Sequence, residues 1–170
     1  MAKPVKIYWD TCAFIGLLNA ESDKKRELEI VYGMARAGKV ELWTSTLSMI
    51  ECRRLKSEQH KAKPLDDEND KKISAIFNQP FIKPIPLASD IAENARGIWR
   101  QTAGLGKYQD AVHLASAVRW NVEVMHTYDR DDLLHLSEKL TCRSGNPLKI
   151  CYPDNTTDGA LFEHAKQNPA

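Results

Sequence analysis

Apolar residues fall in five short runs separated by amphipathic stretches. The runs occupy residues 5–9, 40–44, 81–87, 123–127 and 148–152. The first, Val-Lys-Ile-Tyr-Trp, reads as a buried strand. The third carries Pro84 and Pro86, which suits an edge strand that can spare ladder donors. Between the runs the apolar spacing turns helical. Leu28, Ile30, Val31, Met34 and Ala35 mark a helix over 24–37 that stops at Gly38. Further helices are expected over 11–18, from a cap at Thr46 or Ser48 to about 60, and from Asp66 or Asp67 to about 79. Others follow over 89–102, 110–120 and 130–137. The 110–120 stretch is rich in small apolar residues (Ala111, Val112, Ala115, Ala117), so its helix should pack closely.

Strands alternating with helices predict a three-layer α/β sandwich around a central, mostly parallel sheet of four to five strands. Residues 1–152 form the expected domain, and 153–170 read as a polar C-terminal tail or docked segment. In such a fold the C-terminal ends of strands and the N-termini of helices meet along one sheet edge, where ligands bind.

Four acidic residues belong at that edge: Asp10, Glu51, Asp110 and Asp129. Each has an ordinary role open to it. Asp10 can cap the first helix, and Ser48-Met49-Ile50-Glu51 has the form of a capping box. Asp110 suits a helix N-terminus, and Asp129 can cap the helix containing Asp132. Their convergence is harder to explain by capping. Two carboxylates about 4 Å apart repel by roughly 4 kcal/mol at an effective dielectric of 20. A divalent cation would offset that repulsion, and carboxylate oxygens suit Mg²⁺ or Mn²⁺ rather than Zn²⁺.

Composition narrows the picture modestly. The 170 residues carry a formal net charge of +1, so any nucleic-acid site must be a local patch. Cysteines stand at positions 12, 52, 142 and 151 without a C-x-x-C pair, which argues against structural zinc and fits a reduced, cytoplasmic chain. No apolar run approaches about 18 residues, so no membrane span is expected. Neither a phosphate-binding G-x-x-x-x-G-K-[ST] loop nor a dinucleotide-binding G-x-G-x-x-G motif is present.

The four acids sit in motifs that resemble those of PIN-domain nucleases, and among these the toxin-like VapC ribonucleases. Val5-Lys6-Ile7-Tyr8-Trp9-Asp10-Thr11 is similar to the family's opening strand and "DT" motif. Ser48-Met49-Ile50-Glu51 resembles its second acidic motif. Asp110-Ala111-Val112-His113-Leu114-Ala115-Ser116-Ala117 resembles its "D-[small]-x-x-x-A-x-A" helix, and Thr127-Tyr128-Asp129-Arg130-Asp131 its "T-x-D-x-D" ending. The resemblance implies an endoribonuclease that uses Mg²⁺ or Mn²⁺ held by Asp10, Glu51, Asp110 and Asp129. It further implies metal-activated water, a 5′-phosphate product, an RNA substrate, a cognate antitoxin as partner and a homodimer. Asp131 and Asp132 are candidates to stand behind the four. Cys12 occupies a position where the family often has Asn, and the charged stretch from Lys56 to Asn78 and the tail are long for a toxin. The alternative reading is a non-catalytic PIN-like module that binds RNA or protein, and a metal-dependent phosphatase is a third.

Other residues have two readings each. His113, one turn beyond Asp110, is a candidate base or a histidine packed behind the edge. Thr11 and Thr127 could orient carboxylates or simply cap. Arg53, Arg54, Lys56, Lys24, Lys25, Arg26 and Lys107 could track an RNA backbone or lie on solvated faces. Tyr108 could stack on a base or cover a helix start.

Overall fold

A computed structural model describes residues 3–153. Five strands form one all-parallel sheet, β1 (Val5–Trp9), β2 (Val40–Ser45), β3 (Ile82–Ile85), β4 (Val124–His126) and β5 (Lys149–Cys151). Their order is β3-β2-β1-β4-β5. The helices are α1 (Thr11–Leu18), α2 (Lys25–Arg36), α3 (Thr46–Glu51), α4 (Asp67–Phe77), α5 (Ser89–Gln101) and α6 (Tyr108–Arg119).

Strand β1 explains the layering. Ile7, Tyr8 and Trp9 are all fully buried, and successive side chains point to opposite faces. Ile7 and Trp9 join a core with Phe14 of α1, Leu28 and Val31 of α2, and Ile73 and Phe77 of α4. Tyr8 joins the other core, with Ile91 and Ala95 of α5 and Ala111, Leu114 and Ala115 of α6. A central parallel strand covered on both faces reads as a continuous apolar run, and Ile7-Tyr8-Trp9 is one. The small side chains of α6 let it pack closely, with Ala115, Ser116 and Ala117 wholly buried. Pro84 lies in edge strand β3 opposite Thr44, as its missing donor requires.

The chain runs outward from β1 through β2 to β3, then returns to place β4 on the other side of β1. The strand order therefore reverses between β1 and β4. Ligands of open parallel sheets bind at such a reversal, beyond the C-terminal ends of the strands. Asp10 follows β1 directly and Thr127 follows β4 directly.

Several local expectations need correction. Ser45, rather than Thr46 or Ser48, caps α3, its hydroxyl accepting from Leu47 N–H. That helix ends at Glu51, well short of residue 60. Past its end, buried Cys52 and Leu55 turn into the core. Arg54 then donates to the carbonyls of Glu58 and Lys61, and the Glu58 carboxylate accepts from Leu55 N–H. Helix α6 begins at Tyr108, which puts Asp110 in its first turn. The helix expected over 130–137 is only a 3₁₀ turn, Leu134–Leu136. The charged stretch from Lys56 to Asn78 becomes a loop and α4, capped by Asp66 and anchored through Ile73 and Phe77. The tail assigned to 153–170 lies outside the described residues except for Pro153. Among the described residues, no helix is long and apolar enough to cross a membrane.

Candidate active site

Asp10 sits at the reversal point and is almost wholly buried. One carboxylate oxygen accepts from Ala13 N–H at 3.2 Å, capping α1, and the other accepts from the Thr127 hydroxyl at 2.5 Å. Burial pushes this carboxyl up, while His113, Thr127 and the Ala13 N–H pull it down. The capping role is real, yet the second oxygen ties β1 to β4.

Asp110 and Asp129 come together as expected. A carboxylate oxygen of each lies within 4.8 Å of the other and of one from Asp132. Asp110 Oδ2 is buried without a hydrogen-bond partner among the described residues. Burial, then the Asp129 charge, pushes the Asp110 carboxyl up to about 6, against the pull of Lys107. Asp129 Oδ1 accepts from the N–H groups of Asp131 and Asp132, while Thr127 Oγ1 accepts from Asp129 N–H. Asp129 thus does cap a turn, with Oδ2 facing Lys107 at 3.9 Å.

Glu51 is placed differently from the capping-box reading. It is the last residue of α3, so its carboxylate is free of that helix's N-terminus. Glu51 Oε2 accepts from the Thr11 hydroxyl at 2.5 Å and lies 2.9 Å from His113 Nε2. It stands outside the 4.8 Å trio of Asp110, Asp129 and Asp132. Burial alone would raise its carboxyl, but the hydrogen bonds from His113 and Thr11 leave it below the usual range. An ionised Glu51 only accepts, so Nε2 of His113 carries a proton and donates. His113 Nδ1 lies 2.7 Å from the Tyr8 hydroxyl, and both residues are buried. His113 therefore serves as a bridge from the sheet to Glu51, packed behind the acidic edge.

The sequence offers no cue that Tyr8 belongs to this network, because it reads as one more apolar residue of β1. Lys107 meets the edge through Asp132, with Nζ 3.0 Å from Oδ2. Arg54 is spent on loop carbonyls, and Lys24 pairs with Glu21 and lies over the Tyr128 ring. The cysteines are all free, Cys12 exposed and the other three buried.

The donor set passes a simple test for a hard divalent cation. Asp110 has a buried carboxylate oxygen without a partner among the described residues, and a carboxylate oxygen of each of Asp110, Asp129 and Asp132 lies within 4.8 Å of the others, with no sulfur or imidazole in the trio. A five-stranded parallel α/β sheet with carboxylates at its reversal point defines a class of acidic-edge folds. The chain belongs to the PIN domain family, whose model matches residues 7–139. No curated protein sequence matches it. Among solved structures it is similar to VapC20 of Mycobacterium tuberculosis, a toxin that cleaves the sarcin-ricin loop, at 17% identity and a TM-score of 0.58. That match covers 74% of this chain and 91% of the toxin. A second similarity is to VapBC2 of Rickettsia felis, solved bound to a DNA fragment from its promoter, at 15% identity and a TM-score of 0.52. It covers 74% of this chain and 89% of that one. At these identities the likeness is one of fold.

Proposed function

We propose that this protein is a divalent-metal-dependent endoribonuclease, acting as the toxin of a toxin–antitoxin pair. The observation that carries the reading is the buried, unpartnered Oδ2 of Asp110 beside Asp129 at the sheet's reversal point. Membership of the PIN domain family and the fold shared with VapC20 and VapBC2 support it. Asp10, Glu51, Asp110 and Asp129 would hold Mg²⁺ or Mn²⁺. Such an ion, when bound, neutralises charge on a scissile phosphate and makes a water more acidic. The protein's own part is orientation. Thr127 fixes one oxygen of Asp10, and the Tyr8–His113 pair with Thr11 fixes one oxygen of Glu51. Lys107, largely exposed, supplies a positive charge beside Asp129 and Asp132 that suits a phosphate. RNA is the substrate, and the partner is a small antitoxin that masks the acidic edge.

The test is cleavage of an RNA substrate by the purified protein in EDTA, in Mg²⁺ and in Mn²⁺. Wild type should cut only with metal, and Asp10→Asn and Asp110→Asn should lose activity. Equal cutting by all three proteins would remove the site assignment. Metal-independent RNA binding without turnover would favour the non-catalytic module.

A further inference from the structure

We infer that Asp132 is a cation-holding residue of this site, joining Asp110 and Asp129. The inference rests on the metal-dependent reading above and adds a residue that the motif comparison placed behind the four. Three observations converge on it. Asp129 spends Oδ1 on the N–H groups of Asp131 and Asp132, and this folds 129–132 into a turn. The turn carries the Asp132 carboxylate back to the other acids, so that oxygens of Asp110, Asp129 and Asp132 lie within 4.8 Å of one another. Asp110 also has a buried oxygen, Oδ2, without a hydrogen-bond partner among the described residues. Glu51, by contrast, stands outside the trio and has its Oε2 engaged by Thr11 and His113.

Charge points the same way. Carboxylates within 4.8 Å of one another repel unless a cation or a proton joins them. Lys107 is the ammonium that meets the trio, at 3.0 Å from Asp132 and 3.9 Å from Asp129. Three carboxylates against one ammonium leave a net negative charge, which favours a cation. Lys107 is the more exposed partner in both ion pairs, so it can withdraw without unpacking the core. Asp131, the alternative acid of the same turn, is exposed and outside the trio.

Mn²⁺ binding to the full chain without RNA, followed by electron paramagnetic resonance, tests this directly. Asp132→Asn should weaken Mn²⁺ binding by on the order of tenfold or more, and Asp131→Asn should leave it within about twofold. Lys107→Met should tighten it, because a competing cation is gone. Circular dichroism melts show whether Asp132→Asn remains folded, and Asp132→Ser provides a second variant of the same position. Wild-type affinity in both folded Asp132 variants overturns the inference, and so does a wild type that binds no Mn²⁺. RNA assays separate the two readings. Metal-dependent cleavage with unchanged Asp132→Asn affinity sinks only the role of Asp132. Mn²⁺ binding lost in Asp132→Asn, with no cleavage by wild type, sinks only the ribonuclease.

Discussion

The Thr127 hydroxyl donates to Asp10 Oδ2 at 2.5 Å across the point where the sheet order reverses. The same oxygen of Thr127 accepts from Asp129 N–H at 2.9 Å. One side chain therefore sets both the orientation of the first acid and the path of the chain into the turn that bears two others. Thr127→Val keeps the shape and removes the hydroxyl. It leaves a buried carboxylate oxygen and a backbone donor unpaired, at a cost of about 2 kcal/mol. Urea unfolding should show that loss, metal-dependent cleavage should fall, and Thr127→Ser should recover most of both. Full stability in Thr127→Val would mean that Asp10 needs no such anchor.

Asp110 should trade stability for function. Its carboxyl is held at about 6 against an ordinary 3.8, by burial first and by Asp129 next. Below about pH 3 it is protonated in both folded and unfolded chains and costs nothing. Between there and pH 6 the unfolded chain ionises first, so metal-free stability falls as pH rises. Above pH 6 the penalty is complete. Asp110→Asn should then stabilise the metal-free protein at pH 7.5 by on the order of 1–2 kcal/mol, after allowance for solvent screening. Thermal melts in EDTA would register that gain, with the difference fading as pH falls to about 3. The same variant should lose metal-dependent cleavage.

His113 should behave as a positioning residue. Its Nε2 meets Glu51 and its Nδ1 meets Tyr8, so neither nitrogen faces open solvent. His113→Leu removes both links and should lower kcat by about 10–100-fold, as loss of an orienting partner does. KM for RNA should change little. His113→Gln keeps a donor that can reach Glu51, so partial rescue is expected. If the two variants were equally impaired, the Glu51 link would not be what matters.

The fold was legible because the apolar pattern and the topology point the same way. Ile7, Tyr8 and Trp9 form an unbroken apolar run, and the structure buries them in two separate cores. The positions of Asp10, Asp110 and Asp129 near one sheet edge were legible from their place at strand and helix ends. Glu51 is expected at the edge for a partly wrong reason. Its S-x-x-E context suggests a helix start, yet Ser45 caps first and the helix is six residues long. Tertiary packing of Cys52 and Leu55 stops α3, and such a stop leaves no local signal. Tyr8 escaped for a related reason, and Asp132 reads only as a residue behind the four. A buried tyrosine in a strand reads as core until its hydroxyl meets a histidine 105 residues away. Asp132 reads as a helix residue until a turn capped by Asp129 replaces the helix.

Cys12 offers a reporter on the charge of the site. It is the exposed cysteine, the other three being buried. Its thiol is pushed far up, chiefly by the Asp10 charge, then by partial burial, then by Asp129 and Asp110. The thiolate is the species that alkylates, so iodoacetamide should label Cys12 slowly at pH 8. Asp10→Asn removes the largest opposing charge and should speed labelling. Saturating Mg²⁺ should do the same in wild type, because a cation at the acidic edge offsets the same three carboxylates. In Asp110→Asn the Mg²⁺ effect should shrink, since one carboxylate that would hold the ion is gone. Mass spectrometry of the labelled protein follows Cys12 without any RNA present. Labelling that ignores both Mg²⁺ and the Asp10→Asn substitution would show that the thiol does not feel this site.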